Sequence, residues 1–78
     1  MDNYELVLEY EIDGEKAKYR CSYYHCPTMG NIHRAMRAIR DMPQYTNNKL
    51  RFTRYEVIEY YQESEIVMSD DINIELYI

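Results

Sequence analysis

The chain has 78 residues, 46% of them hydrophobic, and carries ten tyrosines but one phenylalanine and no tryptophan. That apolar content excludes wholesale disorder, and no apolar run reaches the roughly 18 residues that span a membrane. The net charge of −5 argues against generic nucleic-acid binding, because duplex affinity comes mainly from neutralising phosphates.

A domain of this size buries only about 60–65% of the surface its unfolded chain exposes, so one small core is expected, with residues 1–78 forming a single α+β domain. The acidic start, Met1-Asp2-Asn3-Tyr4-Glu5, has neither the basic nor the apolar region of a leader. A cytoplasmic location follows as the expectation, with Cys21 and Cys26 as reduced thiols. Charge is blocked along the chain: residues 1–15 carry −6 and residues 56–78 carry −7, while each block between them is net positive.

Residues Tyr4 to Ile12 alternate, with Tyr4, Leu6, Leu8, Tyr10 and Ile12 on one face and Glu5, Glu9 and Glu11 on the other. Asp13-Gly14 then supplies the positive φ angles of a two-residue type I′ turn. That turn fixes a register in which Glu11 faces Lys16, Glu9 faces Lys18, Tyr10 faces Ala17, Leu8 faces Tyr19 and Leu6 faces Cys21. Opposite charges pair on one face and apolar groups on the other.

Pro27-Thr28 breaks the strand pattern, and Thr28 is a suitable helix cap. Met29, Ile32, Met36 and Ile39 recur at helical spacing, with Ala35 and Met42 beside them, and Pro43 ends the helix near Asp41. The opposite face carries His33, Arg34, Arg37 and Arg40. Gln44 to Asn48 reads as a loop.

The remainder is rich in Tyr, Ile and Val and reads as strand. With Gln62-Glu63-Ser64 as the turn, Tyr60 faces Ile66, Ile58 faces Met68, Phe52 faces Ile74, Leu50 faces Leu76 and Arg51 faces Glu75. This register places Arg54, Glu56 and Asp70 on the apolar face, so a bulge or turn at Ser69-Asp70-Asp71 is expected, or an end to the core. The architecture is therefore two β-hairpins flanking one α-helix, β-β-α-β-β, or β-β-α-β-β-β if the last segment splits.

Cys21, His25, Cys26 and His33 are the soft-ligand candidates, but their spacing departs from the short Cys and His steps of zinc sites. No cofactor or metal is expected. Glu9 and Glu11 have lysine partners rather than a pocket that would separate carboxylate pKa values, and no Gly-rich phosphate loop is present. The reading is non-enzymatic. The helix arginines Arg34, Arg37 and Arg40 form one candidate anion-binding face, since arginines three apart can address successive phosphates. The whole-molecule charge favours instead a solvated surface.

In size, acidity and one-helix, one-sheet plan, the whole chain resembles small phage-encoded inhibitors of host defence, of the anti-CRISPR type. The resemblance is one of bulk properties over the full length, without a diagnostic motif. It implies a stoichiometric inhibitor that occupies a basic, nucleic-acid-handling surface of a larger protein or complex, with no membrane and no direct nucleic-acid partner. A structural or accessory subunit of a larger assembly, and a small nucleic-acid-associated regulator working through the arginine face, stand as alternatives.

A strand from Lys49 to Tyr61 is about 40 Å long, whereas a helix from Thr28 to Asp41 is about 21 Å. The helix would leave the distal part of the second hairpin uncovered. Ile58, Tyr60, Ile66 and Met68 are the expected partner-binding patch, rimmed by Glu59, Tyr61 and Glu63. A homodimer through that patch is a further expectation.

Overall fold

A computed structural model describes residues 3–45, 49–61 and 63–76, with residues 75 and 76 as backbone only. The strands are β1 (Tyr4–Ile12), β2 (Glu15–Tyr23), β3 (Leu50–Tyr60) and β4 (Ser64–Leu76), with helix α1 (Met29–Arg40) between β2 and β3. They form one antiparallel sheet in the order β2-β1-β3-β4. The fold is the α+β, β-β-α-β-β arrangement, and the last segment is one strand.

The first hairpin has the register its sequence dictates: Glu11 opposite Lys16, Glu9 opposite Lys18, Tyr10 opposite Ala17, Leu8 opposite Tyr19 and Leu6 opposite Cys21. Asp13 and Gly14 turn it with φ of 50° and 86°. The turn is tied to the start of β3, for Asp13 N donates to the Lys49 carbonyl and Lys49 N donates to Asp13 Oδ1, both at 3.1 Å.

Helix α1 starts where Thr28 caps it. Asn31 N donates to Thr28 Oγ1 at 3.2 Å, and Thr28 N donates back to Asn31 Oδ1 at 2.9 Å. This reciprocal box satisfies two amides that the helix itself leaves unpaired. Arg37 and Arg40 in the last turn suit the negative end of the helix dipole. Thr28→Ala is expected to cost about 1 kcal/mol, seen as a fall of about 4–8 °C in a circular-dichroism melt; Thr28→Ser should restore most of it. Ile32, Ala35, Met36 and Ile39 are buried, as their spacing requires. Met29, the first of that series, is exposed, because it lies in the opening turn and off the sheet. Pro43–Tyr45 forms a short 3-10 turn where a loop was expected; Thr46, Asn47 and Asn48, the rest of that loop, lie outside the described residues.

The helix covers the two central strands. Leu6, Leu8 and Tyr10 of β1 pack with Leu50, Phe52, Tyr55 and Val57 of β3 beneath it. The helix-side residues of the outer strands, among them Tyr19, Cys21, Met68 and Ile72, are only half-buried. One 12-residue helix is about 10–12 Å wide with its side chains, and four strands at about 4.8 Å spacing extend beyond it on both sides.

The second hairpin departs from the sequence expectation in its middle and far end. Leu50–Leu76, Arg51–Glu75 and Phe52–Ile74 pair as expected. Thr53 is then a bulge against β1, since Tyr10 faces Phe52 but Glu9 faces Arg54. The extra residue shifts the alternation by one, which places Tyr55 and Val57 in the core and turns Arg54 and Glu56 to the face without a helix. Asp70 stays opposite Tyr55, on the helix side, and is exposed at the sheet edge. A second irregularity falls at Val67, so Ile58 pairs with Ile66, Val57 with Met68, and Tyr60 with Ser64. The expected pairs Ile58–Met68 and Tyr60–Ile66 are thereby corrected, and the connection is residues 61–63, of which Gln62 lies outside the described residues.

Candidate functional site

The helix-free face of the sheet is a lattice of charge. Glu9 sits 3.7 Å from both Lys18 and Arg54, and Arg54 in turn reaches Asp71 and Glu56 at 3.0 Å. Arg51 pairs with Glu11, and Arg20 with Glu5 at 2.7 Å. Among the described side chains, Lys16, Lys18, Arg20, Arg51 and Arg54 balance Glu5, Glu9, Glu11, Glu56 and Asp71 on this face. Val7 lies among them, 4% exposed, although no helix covers it. The aliphatic stems of its cross-strand neighbours Arg20 and Glu56 are placed to shelter it. An open depression of about 510 Å³ lies over this lattice, lined by Glu9, Glu11, Lys16, Lys18 and Arg54 among others. Its carboxylates Glu9 and Asp71 face cations at ion-pair distance, as cross-strand pairs that each contribute at most about 1 kcal/mol.

Since this face is close to neutral, most of the net negative charge lies elsewhere, at the first turn, on the β3–β4 connection and along β4. Of the exposed large apolar side chains, Tyr24 and Met29 lie apart, before and at the start of α1, while Tyr60, Tyr61, Ile66 and Val67, 43–64% exposed, gather at the β3–β4 connection. Glu63 and Glu65 beside them are exposed, and Glu59 is half-buried. The sequence-predicted patch is therefore present in part, and it is divided between two faces. Ile58, Tyr60 and Ile66 lie on the charged face, with Ile58 half-buried between Glu5 and Ile66. Met68 lies opposite Val57 on the helix side and packs against the core. Tyr61 meets Tyr4 edge-on, ring centroids 6.2 Å apart.

Two of these tyrosines have raised pKa values. The Tyr60 hydroxyl donates to Glu5 Oε1 at 3.1 Å, the same oxygen that accepts from Arg20; partial desolvation and this hydrogen bond raise its pKa. Tyr4 is pushed up to about 12, chiefly by hydrogen bonding to Tyr61, then by desolvation and by Glu59. Alternation places Tyr4 on the face of Leu6 and Leu8, and it packs half-buried against the core. Sequence reasoning does not single out its contact with Tyr61, nor Val67, which is exposed at an irregularity in β4.

The arginine face is placed as expected, with His33, Arg34 and Arg37 exposed. Arg34 and Arg37 make no ion pair among the described residues, whereas Arg40 is held by Asp41 at 3.0 Å. Arg40 thus differs from the other two in having a carboxylate neighbour. Cys21 is half-buried on β2, Cys26 is exposed with its thiol turned to the Pro27 carbonyl at 3.9 Å, and His25 and His33 are exposed. Among the described residues, no three His, Cys, Asp or Glu side chains converge as a metal cage requires. No helix among the described residues is long and apolar enough to cross a membrane. No protein-family model matches the chain, and no curated protein or solved structure is significantly similar to it.

Proposed function

We propose that this chain is a non-enzymatic binding protein that docks the far end of its β3–β4 hairpin on a basic surface of a larger protein. The phage-encoded inhibitors it resembles set the class: a stoichiometric blocker of nucleic-acid-handling or defence machinery. The observation that carries this reading is the coincidence of Tyr60, Tyr61, Ile66 and Val67, all exposed, with Glu59, Glu63 and Glu65. Apolar centres with polar rims are the usual anatomy of interfaces, and tyrosine is enriched there. The acidic rim selects a basic partner and opposes a second copy of the same tip.

Replacing Tyr61 with Ala and Ile66 with Ser tests the reading. Both side chains are exposed, so the melting point is expected to stay within about 0.5 kcal/mol equivalent of the parent. Binding to a basic partner, captured from host lysate and then measured with purified components, is expected to fall at least tenfold. A double variant that binds as the parent does would remove the hairpin tip from the interface.

A further inference from the structure

The two edges of the sheet carry opposite charges in matching positions, and from this we infer that copies of the chain join edge to edge, β4 of one against β2 of the next. This inference does not rest on the proposed docking of the hairpin tip. Across the charged face one row runs Lys18, Glu9, Arg54, Asp71, with contacts of 3.7, 3.7 and 3.0 Å between neighbours. The row begins with a cation on one edge strand and ends with an anion on the other. A second copy placed beside the first continues it with its own Lys18 next to Asp71.

Direction and register agree with that continuation. Successive strands in the order β2-β1-β3-β4 are antiparallel, so β4 runs antiparallel to the β2 of a copy in the same orientation. Between its two irregularities β4 is regular over Met68–Asp71. Setting Asp71 opposite Lys18 of the next copy places Ser69 opposite Arg20, Asp70 opposite Tyr19 and Met68 opposite Cys21. Asp71, Lys18, Ser69 and Arg20 then fall on the helix-free face. On the helix side, Met68, Tyr19 and Cys21, half-buried in the single chain, gain a neighbour, which for Tyr19 is the exposed Asp70. Neither strand contains proline, so each edge offers the unpaired amides and carbonyls that a further strand needs.

Charges on edge strands ordinarily keep copies apart; here they do so only for like edges. Two β2 strands would set Lys18 and Arg20 against cations, and two β4 strands would set Asp70 and Asp71 against anions. The closed two-fold dimers are disfavoured, and the head-to-tail joint remains. Such a joint does not close on itself after two copies, so assembly continues with concentration.

Sedimentation velocity on the full chain, from micromolar to millimolar and at low and half-molar salt, tests this. The expected result is a series that grows past the dimer at low salt and returns to monomer at high salt. Lys18→Glu and Asp71→Lys should each be monomeric, because each sets like charges across the joint. Mixing the two variants should restore growth, since every joint in the mixture again pairs opposite charges; a folding defect could not be rescued in this way. A monomer at every concentration, an assembly that stops at the dimer, or variants that assemble as the parent does would overturn the inference.

Discussion

Lysine in place of Val57 is expected to abolish folding, while lysine in place of the adjacent Ile58 is expected to leave the protein folded. Val57 is fully buried, opposite Leu6 on one side and Met68 on the other. Placing an unpaired ammonium there costs several kcal/mol. The whole stability of a chain this size is of the order of 4–12 kcal/mol, so the variant should show no cooperative melt. Ile58 is half-buried on the opposite face, where its neighbour across β1 is Glu5. A lysine there can extend its ammonium to water or to that carboxylate while its stem keeps part of the contact. Circular-dichroism melts of the two variants decide the matter. If Ile58→Lys unfolds and Val57→Lys does not, Thr53 is not a bulge and the strand alternates without interruption from Leu50.

That pair of variants also marks where the sequence stopped being legible. In the first hairpin, Asp13-Gly14 fixes the turn, and a slip of one residue would bury Glu9 and Glu11, so only one register satisfies both faces. In the second hairpin the ends were legible for the same reason, Arg51 meeting Glu75 while Leu50 and Phe52 meet apolar groups. The middle was not. A bulge needs no glycine or proline, and Thr53 advertises nothing; its hydroxyl merely donates to the Glu9 carbonyl at 3.3 Å. The signal was indirect. Counting by twos from Leu50 and Phe52 lands on Arg54 and Glu56, while Tyr55 and Val57 fall between them, as an added residue requires. Reading that conflict as the end of the core, rather than as a change of parity, put Ile58 and Met68 in one patch. The tip itself was legible from lengths, since a strand nearly twice as long as the helix must project beyond it.

A second large effect is expected in base, and it belongs to the tyrosines. Burial first, then the Tyr45 hydroxyl at 3.1 Å, raises the pKa of Tyr10 well above the ordinary phenol range. Burial, with hydrogen bonding to Cys21, pushes Tyr23 up to about 12, against a smaller opposing pull from Arg34. Tyr4 is also pushed up to about 12, but it lies in reach of water, where screening makes its share of stability small. In the unfolded chain all of these ionise near pH 10. Between that pH and the folded value the unfolded chain binds fewer protons than the folded one, so stability falls as pH rises. It is intact below about pH 10, and the loss develops up to about pH 12, the value for Tyr23. Phenolate absorbance is to be followed together with far-ultraviolet circular dichroism as the pH is raised through and beyond the ordinary phenol value near 10. Tyr10 and Tyr23 should ionise later, in one step with loss of structure. Tyr23→Phe removes one late proton, so the alkaline midpoint of that variant should move upward relative to its stability at neutral pH. If every tyrosine ionises near pH 10 while the circular dichroism persists to pH 12, the environments assigned to Tyr10 and Tyr23 are wrong.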